Sequence, residues 1–247
     1  MSEFKIPTEI VELPSKGLLY PEGNPLAEGK VEMKYMTAKE EDILTNQVYI
    51  KQGVVLDKLL QSLIVTKINY DDLIVGDKNA LMVAARILGY GKDYSFDFDG
   101  ESYTVDLSTL DNKPFNESLI TKGVNEFTYT LPNSGTDVTF KILSTSDEKA
   151  IDAELAGLKK INKDLSPELS TRLKYIITSV NGNRETKTIR EFVDNHLLAR
   201  DSRLLREYIR QIQPDVNLTF ISNSGEEVAI PVNLNFFWPD AWDSFTS

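Results

Sequence analysis

The sequence predicts an α+β protein of two similar lobes, each a helical cluster with antiparallel β-hairpins. Three observations lead there. Short runs of alternating apolar residues flank turn dipeptides, stripes of helical spacing lie between those runs, and one strand-to-helix segment occurs twice. "KVEMKYMTAKEEDIL" at 30–44 returns about 107 residues later as "DVTFKILSTSDEKAI" at 137–151. Val31 then matches Val138, Lys34 matches Lys141 and Glu41 matches Glu148.

Residues 1–29 come first and are rich in Pro and Gly, including Pro7, Pro14, Pro21, Pro25, Gly17 and Gly23. Proline lacks a backbone donor and resists helix, so this stretch reads as an extended N-terminal arm with turns. Its apolar residues, among them Leu18, Leu19 and Tyr20, favour an arm packed on a surface over one free in solution.

The first lobe is read as 30–115. Val31, Met33 and Tyr35 alternate as in a half-buried strand. Thr37 and Glu40 then form a capping box, with Ser144 and Asp147 in the same places of the second segment. Helices follow over GVVLDKLLQSLIV and over DDLIVGDKNALMVAARILGYG, where Asp77 reads as an N-cap and Gly89 and Gly91 as the stop. Residues 80–88 are apolar nearly all round, so Arg86 among them needs a carboxylate or carbonyl partner. In YSFDFDGESYTVDL the Asp99-Gly100 turn joins two alternating strands.

The second lobe, 116–235, repeats the order: a hairpin over FTYTLPNSGTDVTFKIL, a helix from about 146 to 161, and helices over PELSTRLKYIITSV, TIREFVDNHLL and the stretch from Asp201. There "DSRLLREYIRQI" aligns with "DKNALMVAARIL", placing Asp201 on Asp77 and Arg210 on Arg86. A last hairpin, VNLTFISNSGEEVAIPVNL, matches the one that closes the first lobe. A duplication of this length implies no open-ended array. Residues 236–247 form an aromatic tail holding Phe236, Phe237, Trp238 and Trp242. Two readings stand for it: a tail folded on its own core, or an anchor into a partner.

Composition narrows the function classes. The chain of 247 residues has 41% hydrophobic and 26% charged residues, as soluble globular proteins do. No apolar run approaches the ~18 residues of a membrane span, and MSEFKIPTEIVEL lacks a signal peptide's apolar stretch, so the chain is expected to stay where it is made. Cysteine is absent, which removes disulfides, a thiolate nucleophile and Cys-based zinc, and fits a reducing cytoplasm. A net charge of −11 argues against nucleic acid as partner. Arg200, Arg203, Arg206 and Arg210 concentrate positive charge on one predicted helix, read as its solvated side or as a contact for an acidic protein surface.

No set of residues reads as an enzyme's. His196 is the single histidine and lies on a helix end. Asp97, Asp99 and Glu101 alternate, which suits a solvated hairpin face better than a cation site, because Asp99-Gly100 already makes the turn. GYGKDY follows a helix, whereas a phosphate needs a helix N-terminus. No cofactor is expected.

"ELPSKGLLYPEG", "MTAKEEDIL", "LIVGDKNALMVAARILGYGKDY" and "FFWP" together resemble the baseplate hub and hub-assembly family of T4-like contractile-tailed bacteriophages. The match is spread over most of the chain, and Leu73–Tyr94 is its longest and most specific part. The resemblance implies a non-enzymatic structural or assembly protein of the tail baseplate hub, made in the host cytoplasm and placed in the virion. Its partners would be other hub or tail proteins, with homo-oligomers included. The alternative is a transient tail-assembly chaperone absent from the finished particle. Some relatives carry a Cys-rich, zinc-binding insert; this chain has none, so zinc does not carry over. Leu18, Leu19, Tyr20, Phe236, Phe237, Trp238 and Trp242 are the expected partner-interface residues, with Asp77 and Arg86 structural.

Overall fold

The structure, a computed structural model, describes residues 5–161 and 167–237. It is an α+β fold with eight α-helices and small antiparallel sheets among the described residues. The arm is extended, but it also contains a strand. β1 (Thr8–Glu12) pairs antiparallel with β2 (Lys30–Lys34), Val11 facing Val31. Between them Leu13, Leu19, Tyr20 and Leu26 are buried, so the arm is part of the core rather than a free extension.

β2 leads through the Thr37/Glu40 capping box into α1 (Ala38–Leu44). The next helix, α2 (Gln47–Gln52), is not among the expected elements, although Asn46 caps it and Gly53 ends it in the left-handed region. α3 (Val55–Leu63) buries Val55, Leu59, Leu60 and Leu63 as one stripe. The chain then returns to the free side of β2, where Ile64 bridges Met33 and the Val65 N–H bonds the Glu32 carbonyl (2.8 Å).

α4 (Val75–Tyr90) runs through the middle, and none of its residues 80–88 is exposed. Arg86 takes carbonyl partners, as its surroundings demand: Nη1 donates to Gly91 O (2.8 Å) and Nη2 to Asp93 O (3.0 Å). Gly91 ends the helix, whereas Gly89 lies inside it, where a Cβ would come within 2.9 Å of the Met36 side chain. β3 (Asp93–Phe98) and β4 (Glu101–Asp106) form the expected hairpin about Asp99-Gly100.

The second half opens with β5 (Phe127–Thr130) and β6 (Asp137–Phe140), then α5 (Thr145–Ile161) and α6 (Glu168–Ile176). Here the expected helix over 167–180 is cut short. Ile177–Val180 is β7, which joins β6 and completes a sheet of order β5-β6-β7. Ile177, Thr178 and Val180 are β-branched, and an open ladder beside β6 favours them over another helical turn. α7 (Thr186–Asn195), α8 (Ala199–Ile212), β8 (Thr219–Ile221) and β9 (Glu227–Ala229) follow.

The two halves meet along a seam of backbone bonds. Val75 N–H bonds Leu143 O (3.0 Å) and Thr145 N–H bonds Leu73 O (2.7 Å), so the starts of α4 and α5 hold each other. Gly76 sits under the Pro214 carbonyl, 1.9 Å from where a Cβ would stand. The hairpins stack as well, with Phe220 of β8 against Phe96 (5.0 Å) and Tyr103 (4.9 Å). Buried side chains from Leu13 to Phe237 form one cluster, which runs through both halves of the chain.

Candidate interaction surfaces

Each half contains a carboxylate clamp built from the same kinds of parts. Leu13-Pro14-Ser15-Lys16-Gly17 follows β1, and Leu131-Pro132-Asn133-Ser134-Gly135 follows β5. Both stretches share the spacing of Leu, Pro and Gly, a signal present in the sequence. The residue after Pro donates its N–H to an aspartate in the first turn of a later helix: Ser15 to Asp77 of α4 (2.9 Å) and Asn133 to Asp201 of α8 (2.9 Å).

Asp77 is therefore no N-cap. The cap position is Ile74, and the Asp77 carboxylate turns away to take the Ser15 hydroxyl (2.6 Å) and the Tyr20 hydroxyl (2.6 Å). Asp201 takes the Asn133 amide nitrogen Nδ2 (2.7 Å) and the Ser134 N–H (3.0 Å). Burial pushes the Asp77 carboxyl above its usual range, and its hydrogen bonds only partly offset that. Burial also raises Asp201, but the bonds from Asn133 and Ser134 outweigh it and leave that carboxyl lowered. Tyr20 is pushed well up by burial and by Asp77 beside it, so it stays a neutral donor.

The capping boxes correspond too. In the first, Glu40 accepts from Thr37 N–H (3.0 Å) and Lys34 Nζ (2.8 Å). In the second, Asp147 accepts from Ser144 N–H (3.0 Å) and Lys141 Nζ (2.7 Å). Burial raises Glu40, yet Lys34, Thr37 and Ser62 together hold it down at about 2.

These fixed points leave two strand edges open. Tyr35 N–H bonds Pro7 O and Leu13 N–H bonds Gly29 O, which sets the alternation along β1. Glu9 and Val11 then bond to β2, while the N–H and C=O groups of Thr8, Ile10 and Glu12 point away from it. No backbone partner meets those groups among the described residues, and Thr8, Ile10 and Glu12 are exposed. β5 is the same: the Leu131–Thr136 bond sets the parity, and Thr128 and Thr130 point outward and are exposed. Such edges are the parts of a sheet that accept a further strand.

The residues expected to contact partners fall elsewhere. Leu19, Tyr20, Phe236 and Phe237 are buried in this chain, so as folded they offer a partner no surface. Both phenylalanines are 0% exposed; Phe236 packs edge-on against Tyr94 (4.8 Å) and Phe237 against Phe236 (5.2 Å). Of the two readings of that segment, the core one holds for these rings, which pack against Tyr94 of β3 and beside α4. Leu18 is half-buried and its carbonyl takes the Gly123 N–H (2.8 Å). Trp238 and Trp242 lie outside the described residues.

Arg200, Arg203, Arg206 and Arg210 are all exposed on α8, and Arg203 is the one paired with a carboxylate among the described residues, Glu207 (2.9 Å). Glu101 accepts from Tyr103 and Asn223, and Asp97 from Ser102, which ties these acids into the hairpins. No three His, Asp or Glu side chains gather as a metal site among the described residues. His196 is an exposed C-cap of α7. No described helix is long and apolar enough to cross a membrane.

Compared with protein-family models, with curated proteins and with solved structures, the chain finds no match.

Proposed function

We propose that this chain is a non-enzymatic structural or assembly protein of a bacteriophage tail baseplate hub, acting through protein–protein interfaces, and that its two halves descend from one duplicated unit. The observation that carries the interface reading is the pair of matched open edges, β1 beside β2 and β5 on the outside of the β5-β6-β7 sheet. The matched clamps at Asp77 and Asp201 support the duplication, because long-range bonds of the same kind recur at the same place in each half. The baseplate setting rests on the sequence resemblance. One chain with two similar edges can bridge neighbours around a symmetric centre, with main-chain bonds giving affinity and side chains giving register.

Interrupting the gene in the phage that encodes this chain is expected to abolish complete tails in electron micrographs of the lysate, with the chain supplied in trans restoring them. Normal infectious tails without the chain contradict the reading.

A further inference from the structure

We propose that the β1 edge is closed by the β1 edge of a second copy, related by a two-fold axis at Ile10. This names the occupant of one edge invoked in the proposed function. It rests on the open edge alone, so it can fail while the baseplate reading stands, and the reverse.

The outward backbone groups belong to Thr8, Ile10 and Glu12. Antiparallel pairing centred on Ile10 sets Ile10 against Ile10 and Thr8 against Glu12 of the other copy. Each of those pairs can exchange both N–H···O bonds, since all three residues present them on the same side. Their side chains share the sheet face opposite Val11, which packs on the core.

Charge and the length of the ladder select this register over its neighbours. Centred on Ile10, no two carboxylates are directly opposed, because Glu12 meets Thr8 and Glu9 meets Val11. Sliding one strand by two residues one way opposes Glu9 to Glu9. Sliding it two the other way opposes no carboxylates but sets Thr8 against Pro14, which has no N–H to give, and sliding it four opposes Glu12 to Glu12. Like charges directly opposite destabilise a sheet, and so does leaving a ladder partly unmade. Ile10 supplies the apolar contact: it is 59% exposed in the single chain. The β5 edge offers only Thr128 and Thr130 outward, with no large apolar side chain to cover. That makes β1 the edge for self-association and leaves β5 for another chain.

The natural chain is free of cysteine, which makes a clean test. Ile10→Cys on the purified full-length protein is expected to form a disulfide-linked dimer under mild oxidation, because a bonded antiparallel pair places its Cα atoms ~5.5 Å apart, within disulfide reach. Thr8→Cys is expected to stay uncrosslinked, since the two Thr8 positions are about four residues apart along the strands, ~13 Å. Light scattering of the wild-type chain should give twice the 27.9 kDa subunit mass, and Ile10→Lys the single mass with an unchanged circular dichroism spectrum. The proposal is overturned by a wild-type chain of single mass, by a dimer that survives Ile10→Lys, or by Thr8→Cys crosslinking as readily as Ile10→Cys. Amides of Thr8, Ile10 and Glu12 that gain exchange protection only when a different protein is added assign the edge to that protein, which also overturns it.

Discussion

Asp77 and Asp201 stand at the same place in two helices and grip the residue after a Leu-Pro pair, yet their surroundings push them in opposite directions. Burial is the first cause at both; it prevails at Asp77, which Asp215 also raises, whereas the hydrogen bonds prevail at Asp201. The donors differ as well. Asp77 faces one backbone N–H and two hydroxyls, from Ser15 and Tyr20. Asp201 faces two backbone N–H groups and one amide N–H. A hydroxyl can rotate to accept instead of donate, but an N–H cannot. The first clamp therefore tolerates a neutral or reversed partner, whereas the second needs two acceptor oxygens. One architecture can thus hold an arm in a core in one half and fix a tight hairpin turn in the other.

The seam separates the two halves most sharply. Gly76 is the second residue of α4 and lies against the Pro214 carbonyl, while Arg200 at the same place in α8 is exposed. Gly76→Ala is expected to cost upwards of ~3 kcal/mol, because backbone has to move on both sides, and Arg200→Ala less than ~0.5 kcal/mol. Chemical denaturation of both variants checks this, and equal effects would break the assigned seam.

The clamps are compared directly by the two Asp→Asn substitutions. Asp201→Asn turns an NH2 group toward an N–H of Asn133 or Ser134 and is expected to lower the unfolding midpoint clearly. Asp77→Asn leaves hydroxyls that can turn to meet the new donor, and its midpoint should move little. A reversed order in thermal melts would refute the donor argument.

The capping boxes differ less. Glu40 is buried and also accepts the Ser62 hydroxyl (2.8 Å), while Asp147 is partly exposed. Glu40→Gln is expected to cost about 1–3 kcal/mol and Asp147→Asn about 1 kcal/mol in the same denaturation experiment. Glu40 is held at about 2, so its contribution is present above the ordinary glutamate range and fades as pH falls toward 2.

The smallest effect is the pH dependence of the clamps. Asp201 is lowered, so its stabilisation is full above the usual aspartate range and is lost on acidification through its folded value. Asp77 is raised, so it favours folding at low pH and that contribution is lost as pH rises through its raised value. Amide exchange on mild acidification should therefore open Asn133 and Ser134 before Ser15.

Local chemistry was legible in the sequence. The capping boxes at Thr37 and Ser144, the Asp99-Gly100 turn and the apolar stripe of α3 need only neighbours a few residues away. What the sequence hid depends on distance. Asp77 has the composition of a cap, and only contact with Ser15, sixty-two residues earlier, shows it as a clamp. Ile177–Val180 carries on a helical pattern until β6 offers a ladder. Phe236 and Phe237 suit an interface or a core equally well by hydrophobicity, and distant packing against Tyr94 decides between them. The open edges are least legible, since they are defined by what fails to pair.

The most direct test of the central claim, that this chain works by holding other chains of a tail, is gradient separation of lysate from infected cells with immunodetection of the chain. Co-sedimentation with finished tails and virions is the expected result and makes it a hub subunit. Detection only in light fractions with hub intermediates makes it a transient chaperone. Recovery solely as free protein, away from every tail intermediate, contradicts the account.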